Sequence, residues 1–165
     1  MSWSGSGVGS KIFRPYVADI LANTTAIDLD GTDTINVALY NDTTTPNQDV
    51  TSALSAYNAA TSQWVVANEV TSSTTGWPAG GNPLVSPVVN SSTAGVVFFD
   101  ATDTSSTTST ATIANAVGCL VYDNTIATPV AKQGICFNYF GGANSVTNGT
   151  FTVVWSANGV MRFTL

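Results

Sequence analysis

From Thr34 onward the chain is a succession of short apolar runs, each closed by an uncharged turn segment. That punctuation constrains the fold more than any other feature. Short runs rich in Val, Ile, Thr and aromatic residues, bounded by Gly, Asn, Ser and Pro, read as β-strands. Strands are expected over 34–41 (TINVALYN), 63–70 (QWVVANEV), 84–90 (LVSPVVN), 96–101 (VVFFDA), 108–113 (TSTATI), 117–123, 134–140, 150–156 and 160–165. Pro87 marks its strand as an edge or a bulge, because proline cannot donate to a ladder. The last two strands flank Ala157-Asn158-Gly159, and Asn-Gly between apolar runs is the strongest short hairpin signal.

One segment follows a different period. Ile12, Phe13, Tyr16, Val17, Ile20 and Leu21 form a stripe at helical spacing. Ser10 is placed to cap it, Pro15 is tolerable in a first turn, and Asn23-Thr24-Thr25 ends it. Such a helix would cover a sheet face or one end of a barrel. Thr51 to Asn58 has room for a helical turn or two. The first nine residues are small, with Trp3 the one aromatic among them. The expected organisation is a flexible arm over 1–9 and a single β-rich domain over 10–165. The fold class is mainly β: an antiparallel β-sandwich or barrel with one N-terminal amphipathic helix.

Charge then narrows the function. Only 8% of residues are charged, and four Lys+Arg against ten Asp+Glu leave a net −6. A globular chain carries about 25%. So few cations cannot neutralise a run of phosphates, which argues against nucleic acid. The absence of His removes the commonest general base and the commonest metal ligand. Ser and Thr are abundant, but a Ser-Lys dyad would need Lys11 or Lys132, and neither sits in a recognisable motif. Gly5, Gly7 and Gly9 precede no Gly-Lys pair, so no phosphate loop is formed. The acidic residues lie in turns, apart from Glu69, expected on a solvent face or in an ion pair with Arg14 or Arg162. No enzyme and no cofactor is expected. The run Asp28 to Asp33 resembles part of a calcium loop, but an EF-hand would have Glu where Leu39 stands. It reads as a polar turn, with weak structural calcium as the alternative.

No basic start or apolar leader opens the chain, and no apolar run reaches the ~18 residues that span a bilayer. Synthesis in a cytosol, with no membrane partner, is the expectation. Cys119 and Cys136 lie in apolar segments that a hairpin around Ala127-Thr128-Pro129 would bring together. They read as buried thiols, or as a disulfide formed after release from the cell. Trp77-Pro78-Ala79-Gly80-Gly81 reads as a tight turn packed on an aromatic, or as an exposed platform for a sugar.

An ordered series of segments carries a family resemblance. KIFRPYVADILA is followed by TINVALYNDT, then NEV, the WPAGG turn and Pro83-Leu84. VVFFDATDTSS, ATIANAVGCLVYDNT, ICFNYFGG and NGTFTVVWSANGVMRF complete it. From Lys11 to Val160 this order resembles the small virion structural proteins of tailed bacteriophages, which include capsid decoration and minor structural proteins. The resemblance implies a decoration (cement) protein on the outer surface of the mature head. It would be made in the bacterial cytoplasm and bind the major capsid protein lattice at capsomer junctions as a homotrimer. Partner-binding anchors are then expected at Trp3, Phe13, Tyr16 and Trp77. The alternative is a tail or fibre subunit that contacts a glycan through an aromatic cleft around Trp64 or Trp77.

Overall fold

The computed structural model describes Trp3 and residues 9–24, 27–72 and 76–165. The frame is set by the apolar run 116–123, in which every residue is buried. A strand covered on both faces belongs in the middle of a sheet. It forms the end of β7 (Ala111–Asp123), which pairs antiparallel with β2 (Ile35–Tyr40) on one side and β8 (Gly134–Gly149) on the other. Short strands β1 (Lys11–Ile12) and β3 (Asn82–Pro83) finish a five-stranded sheet in the order β1-β8-β7-β2-β3. A second sheet has the order β10-β5-β4, from β4 (Val85–Asn90), β5 (Val96–Thr102) and β10 (Met161–Thr164). A small ladder joins β6 (Thr104–Ser105) to β9 (Thr152–Val153). All pairings are antiparallel, and the larger sheets have free edge strands, so the arrangement is sandwich-like and open rather than a closed barrel. Phe99, Val160 and Met161 share one hydrophobic cluster with Val37, Cys119, Val121 and Cys136 of the large sheet.

Several expected elements come out differently. The helix α1 runs Arg14–Leu21, not from Ile12, and Ser10 is not its cap. Pro15 has no N–H to give a preceding turn, and its ring would clash with the carbonyl four residues back. Lys11 and Ile12 are therefore extended and pair with Phe137 and Cys136. The stripe is also only partly covered: Tyr16 is buried while Leu21 is 82% exposed. The end at 23–24 is as expected, and Thr25 lies outside the described residues. Residues 63–70 are not a strand. They hold a single 3-10 turn, Val66–Asn68, followed by an isolated bridge from Glu69 to Tyr40. The expected strands 108–113 and 117–123 merge into one, kinked where Asn115 takes φ 56. β8 continues through the polar stretch 141–149, which has no apolar alternation to announce it. Asn158-Gly159 does turn tightly, closed by a Ser156–Gly159 bridge, but it does not make a hairpin of its flanks. β9 pairs with β6, while β10 crosses to β5. α2 (Ser52–Ser55), capped by Thr51, is a single helical turn in the 51–58 segment, which has room for one or two.

Candidate functional site

The four expected anchors point inward. Trp3, Phe13, Tyr16 and Trp77 are all fully buried, so the exposure that would let them grip a partner is absent. Each finds an apolar site inside its own chain, the more favourable place for a large aromatic surface. Trp3 packs edge-on to Trp64 and Phe137, both at 5.8 Å, and its Nε1 donates to the Asn41 carbonyl at 3.1 Å. Phe13 completes the group against Phe137 at 5.3 Å, and Tyr40 meets Trp64 at 5.0 Å. The expected arm is thus tied down at Trp3; residues 1–2 and 4–8 lie outside the described residues. Gly118 is the sequence signal that was missed. A Cβ there would lie 2.5 Å from the Trp3 ring, and glycine inside an apolar strand marks such close approach.

Trp77 serves the turn it belongs to. Its Nε1 donates to the Val37 carbonyl at 3.1 Å, and its ring meets Phe151 edge-on at 5.8 Å. The following Gly81 takes φ +74 with its Cα against β2; an added Cβ would sit 1.9 Å from the Val37 oxygen. Trp64 and Trp77 are both 0% exposed, so the glycan cleft expected around them is not there.

Glu69 is neither on a solvent face nor paired with an arginine. Half-buried, it accepts the Tyr57 hydroxyl at 2.9 Å and the Gly80 N–H at 3.0 and 3.1 Å. Tyr122 and Asn36 donate to the Gly80 carbonyl, and Tyr57 stacks on Tyr122 at 4.6 Å. Burial outweighs these hydrogen bonds and pushes the carboxyl up to about 7. The arrangement braces a loop; the carboxylate's oxygens are turned to the loop rather than to an open cleft. Asp123 does similar work: its Oδ1 accepts from Thr125 and Ile126, and burial pushes it up to about 6. In the Asp28–Asp33 run, Asp28 accepts from Thr32 and Asp33 accepts the Asp28 N–H, which closes a polar turn. Among the described residues no group of three or more His, Cys, Asp or Glu is placed to share a metal.

Cys119 and Cys136 are free, buried thiols, each pushed up chiefly by burial. Their segments do form the expected hairpin. Its register opposes Cys119 to Asn138 and Cys136 to Val121, which leaves the thiols diagonal on one face. Diagonal positions lie about 7–8 Å apart, beyond the ~4.4–6.8 Å that a disulfide spans.

Large apolar side chains are exposed in separate segments at Leu21, Val66, Val154 and Leu165, and three more share one strand. On edge strand β4, Val85, Val88 and Val89 are 55%, 46% and 41% exposed. Pro87, a bulge between Val85 and Val88, and the Asp30 carboxylate on the Val89 N–H interrupt the backbone along this edge. The edge is thus blunted against strand addition yet keeps its apolar side chains in water. No protein-family model matches the chain, and neither a curated protein nor a solved structure matches it.

Proposed function

We propose that the chain is a non-enzymatic virion structural protein of a tailed bacteriophage: a capsid decoration protein that binds the mature head lattice as a homotrimer. The observation that carries this reading is the valine group on β4. Val88 and Val89 point to opposite faces of the sheet, so with Val85 they place apolar side chains on both sides of one edge, where a partner can close around it. Ser86, Asn90 and Ser91 flank the valines along the chain, and the Asp30 carboxylate sits at the Val89 N–H. Docking by side chains suits this edge, because Pro87 and Asp30 remove donors that an added strand would use. The ordered segments from Lys11 to Val160 support the phage assignment, and the use of Glu69 and Asp123 as loop braces supports a structural role. A subunit that binds only the assembled lattice stabilises it by mass action.

Quantitative mass spectrometry of purified virions split into heads and tails tests the assignment. Hundreds of copies in the head fraction are expected; recovery in the tail fraction would replace decoration by a tail role. Val88→Asp is expected to abolish binding to empty heads while the subunit stays folded. In solution the particle mass should be three times the 17.0 kDa of the chain.

A further inference from the structure

A groove between β8 and the 151–159 segment, which extends to β1 and β10, has a different character. Its first part is a cleft of about 410 Å³ whose lining includes Tyr139, Phe140 and Trp155 together with Asn138 and Asn144. All three residues are half-buried. The Trp155 indole is held in place: its backbone N–H donates to Asp103 at 3.0 Å and its Nε1 to Thr104 Oγ1 at 3.2 Å. Tyr139 is backed by the buried Trp3 ring, stacked at 6.4 Å. Among the described residues none that lines this part is charged.

The second part, about 310 Å³, continues from the first through Ser10 and Asn138 and adds Lys11 and Arg162. These are two of only four cations in a chain of net charge −6. The other two are engaged elsewhere: Arg14 pairs with Asp49 at 3.3 Å, and Lys132 lies over the Tyr57 ring. Arg162 donates through Nη1 to Asn158, which orients the guanidinium and leaves it further donors. Among the described residues no carboxylate lines either part of the groove.

We infer that this groove binds an acidic oligosaccharide, with sugar rings on Tyr139 and Trp155 and the acid group at Lys11 and Arg162. Aromatic faces take the apolar C–H side of a pyranose, while amide and hydroxyl groups take its hydroxyls. Asn138, Asn144 and Ser10 supply those polar partners. Two exposed cations with no carboxylate opposite them favour a negative group on the ligand over a neutral one. The inference stands apart from the virion assignment, since it rests on different residues and holds on a head or on a tail.

The test is isothermal titration with tetragalacturonate, with maltotetraose as a neutral probe of equal length, preceded by an array of uronate and sialylated oligosaccharides. Binding of at least one acidic series is expected, weakened at least tenfold in Lys11→Gln/Arg162→Gln, with strong dependence on salt. Both replaced side chains are exposed, so the variant should keep its fold. Trp155→Ala is expected to remove binding of the same probe, and fluorescence quenching of the wild type gives an independent readout. No acidic oligosaccharide bound on the array, equal affinity for the neutral probe, or unchanged affinity in the double variant would overturn the inference.

Discussion

Replacing Glu69 by Gln should make the protein more stable above neutral pH. The carboxyl is half-buried beneath the 77–81 turn, and burial raises it from 4.5 to about 7. A carboxyl raised in the folded state is protonated there while the unfolded chain has already ionised. Its contribution is intact below the unfolded value of 4.5 and is lost as pH rises through about 7. At 1.36 kcal/mol per pH unit, less some screening of a half-exposed group, the loss is about 2 kcal/mol between pH 5 and 8. Roughly half of it falls above pH 6, where Asp123, raised to about 6, contributes little further slope. Gln keeps an acceptor for the Gly80 N–H and the Tyr57 hydroxyl and cannot ionise. Urea titrations followed by tryptophan fluorescence at pH 5, 6, 7 and 8 measure the difference. The wild-type curve should fall more steeply, with Glu69→Gln ahead by about 2 kcal/mol at pH 8 and near parity at pH 5. Parallel curves between pH 6 and 8 would refute the argument, because they would place the ionised carboxylate in a site that costs nothing.

Other predictions follow from the same packing. Trp3→Ala should cost about 3–5 kcal/mol in denaturant titrations, since it empties a site between Trp64, Phe137 and Gly118; an unchanged midpoint would mean that the tryptophan adds nothing there. Gly81→Ala should destabilise strongly, because a Cβ would strike the Val37 carbonyl at positive φ, whereas Gly142→Ala, with nothing within 4 Å, should be near neutral. Both thiols should stay unreactive to a disulfide reagent in the native protein and react after unfolding, and oxidant should leave no Cys119–Cys136 bridge by mass spectrometry.

The strong strands were legible where composition and alternation agreed. Residues 34–41, 96–101 and the 117–123/134–140 pair announce themselves through β-branched and aromatic density, and Pro87 correctly marks an edge. What was not legible depends on contacts remote in sequence. Trp64 reads as part of a strand, yet it is drawn into an aromatic cluster with Trp3, Phe13 and Tyr40, and its segment bends to reach them. The polar half of β8 is a strand because β7 offers it a ladder, not because its residues favour one. Exposure was the weakest inference. In a chain with so few charges an aromatic residue is as good a core element as a binding anchor, and its sequence neighbours do not distinguish the two. The groove is not legible in the sequence, since Lys11, Tyr139, Trp155 and Arg162 come together only through the β1-β8 pairing, the β6-β9 ladder and the return of β10.

The two proposed surfaces are separable by construction of the sheet. β4 and β10 are its opposite edges with β5 between them, about 10 Å apart at the usual strand spacing. Val85, Val88 and Val89 lie on the first edge and Arg162 on the second. Neither groove part is lined by a β4 residue, so a partner seated on the valines leaves the groove open. Two variants should therefore lose different things. Val88→Asp should fail to bind heads and still bind an acidic oligosaccharide, while Lys11→Gln/Arg162→Gln should bind heads and lose the saccharide. Sedimentation with empty heads and titration with tetragalacturonate read the two activities on the same preparations. If either variant lost both, the surfaces would be one, and an apolar contact and a charged groove would have to be reconciled in a single interface.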